Sequence, residues 1–182
     1  MGTPREPKAA KYFVALLSSS HEHLVQVESD LVGILGEVDG KSEALSWAAS
    51  KYYEKEMGPG LLRCFFSFST LASPENLAAV KLQTQAIEER YRAPVAGGRR
   101  INLDPGYLDS FKVVLASTKN ASQRLYLRAG IYAEATLFYY DGGFHGLQYT
   151  YPDYLSPAAL AFFTELRSEK WVAETQEVSS VR

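Results

Sequence analysis

The fold is decided by residues 12–36, Tyr12-Phe13-Val14-Ala15-Leu16-Leu17-Ser18-Ser19-Ser20-His21-Glu22-His23-Leu24-Val25-Gln26-Val27-Glu28-Ser29-Asp30-Leu31-Val32-Gly33-Ile34-Leu35-Gly36. Tyr12–Leu17 is a short continuous apolar run without a helical period, which predicts a buried strand. Ser18–Ser20 break the run and offer side chains that cap a helix N-terminus. Leu24, Val27, Leu31 and Ile34/Leu35 then recur at helical spacing, which predicts a helix over 21–35. Gly36 stands in the position after the last turn that commonly ends a helix. A buried strand followed at once by an amphipathic helix calls for a layered α and β structure.

Outward from this unit the pattern continues. Ala44-Leu45-Ser46-Trp47 is a candidate strand, with Tyr52–Met57 either its extension or a loop, and Gly58-Pro59-Gly60 a break. Leu61–Phe68 has strand composition. Ser73-Pro74 is an N-cap followed by an N1 proline, and Leu77, Val80, Thr84, Ile87 and Tyr91 place a helix over about 74–92, ended by Pro94 and Gly97-Gly98. Arg100–Leu103 is expected as a short strand stopped by Asp104-Pro105-Gly106. Lys112–Ser117, Arg124–Leu127 and Ile131–Tyr140 follow as strands. Asp141-Gly142-Gly143 is a hairpin signal with His145–Tyr151 returning. Ser156-Pro157 caps a last helix to about Trp171, with Leu160, Phe163, Leu166 and Trp171 inward. The expected fold is α+β: a ferredoxin-like β-α-β-β-α-β first half extended by an antiparallel β-meander and a C-terminal helix. One globular domain is expected over 8–172, with flexible tails at 1–7 and 173–182.

Composition bounds the function. The chain has 182 residues, within the size of one domain, and 46% hydrophobic against 22% charged residues predicts a folded chain. One Cys precludes an internal disulfide framework and fits a reducing cytosol. The start, Met1–Lys8, lacks the apolar run of a signal peptide, Glu6 stands where a myristoylation signal needs Ser or Thr, and no run approaches the roughly 20 apolar residues that span a bilayer. We therefore expect a cytoplasmic protein without membrane association. A net charge of −2 provides no global field for nucleic acid.

Two local imbalances point to a site. Residues 99–128 hold Arg99, Arg100, Lys112, Lys119, Arg124 and Arg128 against Asp104 and Asp109, a net charge of +4. Pairing with the acidic C-terminal third or an anionic ligand would each account for it. Of the 12 Tyr, seven fall between Tyr126 and Tyr154. In Ile131–Tyr140, alternation puts Tyr132, Glu134, Thr136 and Phe138 on one face, and Ile131, Ala133, Ala135, Leu137 and Tyr139 on the other. A carboxylate buried among aromatics needs a partner, and Arg124 or Arg128 across a hairpin is a candidate for Glu134. Arg99, Lys112, Lys119 and Arg124 are candidate phosphate ligands. Tyr107, Tyr132 and the Tyr149–Tyr154 cluster are candidates for stacking on a base, with Asp153 beside them. Glu54, Glu56, Asp104 and Glu134 are candidate acid/base groups. Glu54, Glu56, Asp104 and Asp153 are candidates for Mg²⁺ if a nucleotide binds.

Known nucleotide motifs are not met. Gly36-Glu37-Val38-Asp39-Gly40-Lys41-Ser42 has three residues between its glycines where a P-loop has four, and it follows a helix rather than a strand. Asp104-Pro105-Gly106 lacks D-x-x-G spacing. Thr118-Lys119-Asn120-Ala121 has Ala121 where guanine recognition needs an Asp. His21 and His23, at i and i+2 on a helix, diverge rather than share a metal. Cys64 among Phe65, Phe66 and Phe68 is expected to be a buried structural thiol.

Tyr52-Tyr53-Glu54-Lys55-Glu56-Met57-Gly58-Pro59-Gly60-Leu61, Asn102-Leu103-Asp104-Pro105-Gly106-Tyr107, Leu115-Ala116-Ser117-Thr118-Lys119, Gly130-Ile131-Tyr132-Ala133-Glu134, Thr150-Tyr151-Pro152-Asp153-Tyr154 and the opening Pro4-Arg5-Glu6-Pro7-Lys8 together resemble the bacterial family called domain of unknown function 4416. Members are often labelled GTP-binding, so the resemblance implies a nucleotide without supplying a mechanism.

Two readings follow. The first is a protein that binds a phosphate-bearing small molecule such as a guanine nucleotide, through a basic and Tyr-rich site and not through a P-loop. The alternative is a non-catalytic interaction module whose Tyr-rich sheet surface meets a protein partner or a second copy. RNA binding on sheet aromatics is a weaker third, set against the net charge and the lack of an RNP-like sequence.

Overall fold

The computed structural model describes residues 2–47, 53–93 and 98–168. Trp171, Pro94, Gly97, Tyr52 and the C-terminal tail therefore lie outside the described residues. The strands are β1 (Ala10–Ser18), β2 (Val38–Lys41), β3 (Leu45–Ser46), β4 (Leu62–Ala72), β5 (Ile101–Leu108), β6 (Lys112–Ser117), β7 (Leu125–Arg128), β8 (Ile131–Tyr140) and β9 (Gly143–Gly146). The helices are α1 (His21–Leu35), α2 (Glu54–Met57), α3 (Leu77–Arg90) and α4 (Pro157–Ser168). All strands join one sheet of order β2-β4-β1-β5-β6-β8-β7, with β3 on β4 and β9 on β8, and every pairing is antiparallel. The β2-β4-β1-β5 half is the ferredoxin-like unit. β6 to β9 are the meander that widens it.

Alternation in β1 sorts the core into two layers. Tyr12, Val14 and Leu16 face α1 and α3, where they meet Leu24, Val27, Leu31, Leu77, Val80 and Ile87. Phe13 and Ala15 face α4, where Phe13 and Phe163 pack edge to face at 4.9 Å between ring centroids. Every residue of β1 is buried because helices cover both faces. Ser20 caps α1 by accepting the His23 N–H, and Gly36, at φ 87°, ends it as expected. Among the described residues no helix is long and apolar enough to cross a membrane.

Five expectations need correction. Val38–Lys41, inside the P-loop-like stretch, is an edge strand on β4, and Gly40 is there because a Cβ would stand 2.5 Å from Ser67 Oγ. Glu54–Met57 is a helical turn, not a strand extension. β5 runs on through Asp104-Pro105-Gly106 to Leu108. Pro105 keeps its place opposite Val14 of β1 while pairing to β6 begins only at Gly106, so the residue without an N–H sits at an unpaired edge. The returning strand is shorter than His145–Tyr151, because Thr150 accepts the Leu147 N–H and folds the chain into a turn after Gly146. In β8 a register shift between the pairs Val113–Leu137 and Val114–Ala135 breaks the alternation. Leu137 and Tyr139 consequently join the α4-side core that also holds Leu115, the cross-strand partner of Glu134.

Candidate functional site

The site begins with a fault in the sheet. β5 pairs with β1 along its whole length but with β6 only at Gly106–Leu108. Toward the other end the two strands diverge, which would leave buried backbone groups of β5 unpaired. Two side chains of α3 take them. Glu88 Oε1 accepts the Leu103 N–H at 2.6 Å, and Lys81 Nζ donates to the Leu103 carbonyl at 2.7 Å. Lys81 and Glu88 are seven residues apart, two turns on one helix face. Pro105, two residues along and of the same parity as Leu103, has no N–H to offer the gap. A proline and two charged side chains thus hold the sheet open.

The opening is a cavity of about 520 Å³. Asn102 and Asp104 of β5 form one wall, and Leu115–Ser117 with Thr118, Lys119 and Glu134 form the other. Trp47, Tyr53, Arg63 and Arg99 close one end, and Tyr151–Tyr154 lie against it. Trp47 and Tyr53 pack edge to face, and the guanidinium of Arg63 lies 4.9 Å from the Trp47 ring centroid.

Charges here are arranged as a network. Arg63, 5% exposed at its side chain, lies 2.9 Å from Asp153 and 3.8 Å from Asp104. Asp104 also contacts Lys81 at 3.2 Å and accepts from Asn102 Nδ2 at 2.6 Å. Burial would raise the Asp104 carboxyl, but Lys81 and Arg63 outweigh it and hold the group below the usual carboxylate range. For Asp153 burial wins over Arg63 and the carboxyl is raised. Burial likewise raises Glu88 against Lys81, pushes the Tyr53 phenol up to about 12 and holds the Tyr154 phenol well above its ordinary value. Neighbouring carboxyls displaced in opposite directions are a common mark of functional clefts.

Arg124 and Glu134 form the pair expected across the β7–β8 hairpin. Arg124 Nε donates to Glu134 Oε2 at 2.9 Å, and both side chains are at most 5% exposed. Nη1 of Arg124 donates to Ser117 Oγ at 2.6 Å and to the Lys119 carbonyl at 3.0 Å, and Nη2 to Glu134 and to Tyr151 Oη. Its fork is fully engaged. Arg124 therefore positions the Ser117–Lys119 turn and Tyr151. Arg99 is similarly engaged, bidentate on Glu56 at 2.8 Å and donating to Asn102 at 2.9 Å. That bidentate contact holds the Glu56 carboxyl below its usual range.

Of the residues singled out from sequence, Arg99, Asp104, Lys119, Arg124, Glu134 and Asp153 line the one cavity. Glu56 stands behind Arg99, and Glu54 is exposed on α2. Lys112 pairs with Asp109 beyond the cavity, in a turn where Asp109 Oδ1 accepts the Phe111 and Lys112 N–H groups. Tyr107 packs against Tyr12 on the α1/α3 face, and Tyr132 against Tyr126. Among the described residues no three His, Cys, Asp or Glu converge to hold a metal ion, so the four carboxylates named for Mg²⁺ are not brought together. Tyr151 and Tyr154 of the Tyr149–Tyr154 cluster also line it, whereas sequence reasoning missed Trp47, Tyr53, Arg63, Lys81, Glu88 and Asn102. Arg63 within Leu61–Phe68, and Lys81 and Glu88 on the apolar stripe of α3, were the available signals: charges at core positions.

A family model described as Domain of unknown function (DUF4416) matches residues 8–170, and the chain belongs to that family. No curated protein matches the chain.

Proposed function

We propose that this protein binds a phosphate-bearing small molecule, with a nucleotide such as a guanine nucleotide as the class to test first, in the cleft between β5 and β6 and without a P-loop. The observation that carries the reading is the cavity of about 520 Å³, which falls within the roughly 300–1,000 Å³ of small-molecule sites and is lined by charged and aromatic side chains. Lys119, on the turn that Arg124 braces, is the group offered to phosphate. Trp47, Tyr53 and Tyr151 offer ring surface to a base. A thermal-shift panel of nucleotides with and without Mg²⁺ tests it. Binding at a hundred times Kd adds about 2.7 kcal/mol of stability, a shift of several degrees. No shift with any nucleotide at millimolar concentration overturns the reading.

A second reading is favoured by one surface. Edge strand β7 presents Leu125 at 75% and Tyr126 at 61% exposure, an apolar patch of the kind that meets protein partners. A monomeric profile at high concentration, with no partner recovered, sinks this alternative.

A further inference from the structure

Most polar side chains around the cleft are satisfied within the protein, as the full fork of Arg124 and the bonds of Arg99 to Glu56 and Asn102 show. The floor is different. Arg63 Nε and Nη1, both Asp153 carboxylate oxygens and the Tyr154 hydroxyl are buried and lack a well-formed hydrogen bond. Arg63 and Asp153 are in ionic contact at 2.9 Å, and their side chains are 5% and 9% exposed, while Tyr154 is 2% exposed. All three line the cavity. Burying such atoms without well-formed hydrogen bonds is costly, so their clustering on one cavity wall points to a group that completes them.

From this juxtaposition we infer that Arg63, Asp153 and Tyr154 recognise a ligand edge carrying a hydrogen-bond acceptor beside a donor, as in a lactam, carboxamide or amidine. Arg63 donates to the acceptor, Asp153 accepts from the adjacent N–H, and the Tyr154 hydroxyl supplies a third contact. The charges of Arg63 and Asp153 already offset each other, so the floor suits a neutral edge and leaves the anionic end of the ligand to Lys119. The inference rests on the cleft being the ligand site and adds the chemistry of its recognised edge.

The test is calorimetric titration of the full chain with three probes that share purine, ribose and phosphate. Guanosine and adenosine monophosphates carry a donor–acceptor edge. Purine riboside monophosphate has no exocyclic group and so no donor there. At least one of the first two is expected to bind roughly ten- to a hundred-fold tighter than the third, the effect of a hydrogen bond to a charged group. Asp153→Ala, which deletes the acceptor, removes that preference. Tyr154→Phe weakens the favoured probe yet leaves the melting temperature unchanged or raised, because no bond inside the protein is lost. A structural hydroxyl would do the reverse. Equal binding of the three probes, or a preference that survives Asp153→Ala, overturns the inference and leaves the ligand site standing. No binding by any probe overturns both.

Discussion

If Lys81 and Glu88 stand in for a missing ladder, then replacing Glu88 should expose the debt they cover. Glu88→Leu fills the buried face of α3 with an apolar side chain of similar size but removes the acceptor that meets the Leu103 N–H at 2.6 Å. A buried donor left without a partner costs about 1–3 kcal/mol. Glu88→Gln keeps an acceptor oxygen, and because burial already opposes the charge on this carboxyl, its loss should cost under about 1 kcal/mol. For a domain of this size Glu88→Leu then melts about 5 °C below the parent, and Glu88→Gln melts close to it. Urea unfolding followed by circular dichroism gives the free energies, and amide exchange at Leu103 reads the bond itself. Both variants also differ from the parent in pH dependence. A carboxyl raised in the folded state binds its proton more tightly there than in the unfolded chain. Its contribution to stability is therefore present below its ordinary value of 4.5 and lost as pH rises through the folded value. Glu88→Gln abolishes that slope. Glu88→Leu matching or exceeding Glu88→Gln in stability, with Leu103 equally protected, would refute the reading that Glu88 stands in for the ladder.

Arg124→Ala leaves the Glu134 carboxylate buried and uncompensated, so urea unfolding should show a loss of about 3–5 kcal/mol. A loss below 1 kcal/mol would mean the pair is not buried. Gly106→Ala places a Cβ 2.5 Å from both the Val114 carbonyl oxygen and Phe13 Cζ, and since a backbone atom cannot step aside, the melting temperature should fall by several degrees. A neutral effect would argue that β5 and β6 are not packed this tightly at the closed end of the cleft. Cys64 is 3% exposed with its thiol pushed up to about 11 by burial, so a thiol reagent at pH 8 should modify it only on unfolding, and rapid reaction in the native state would contradict its place under α1 and α3.

What the sequence made legible is what local periodicity carries. Leu24, Val27 and Leu31 give α1 to the residue, and Ile131–Tyr140 gives β8, because a long element repeats its signal. The failures are short or non-local. Val38–Lys41 has too few residues to show alternation, and its strand state comes from pairing with β4. Pro105 looks like a terminator because a proline breaks a central ladder. It is tolerated in β5 because the ladder on that side is already broken, a fact held by α3 and invisible within Asn102–Tyr107.

The same distinction governs the site. Counting charges along residues 99–128 finds Arg99, Lys119 and Arg124 near the cleft, yet it treats each cation as a free hand. A guanidinium has five N–H groups, and whether any faces a ligand depends on how many the fold has already claimed. Arg124 has given all of its own to Glu134, Ser117, Lys119 and Tyr151. Arg63 lies outside the charged block and inside an apolar strand, where its Nε and Nη1 stand in ionic contact with Asp153 and Asp104 but form no well-directed hydrogen bond. The ordinary expectation runs the other way, since a buried arginine is normally the best-satisfied residue in its neighbourhood. A cation at a core position whose donors lack well-directed hydrogen bonds is therefore a sharper marker of this cleft than the local charge excess, and it places the recognising centre on β4 and the Tyr151–Tyr154 segment.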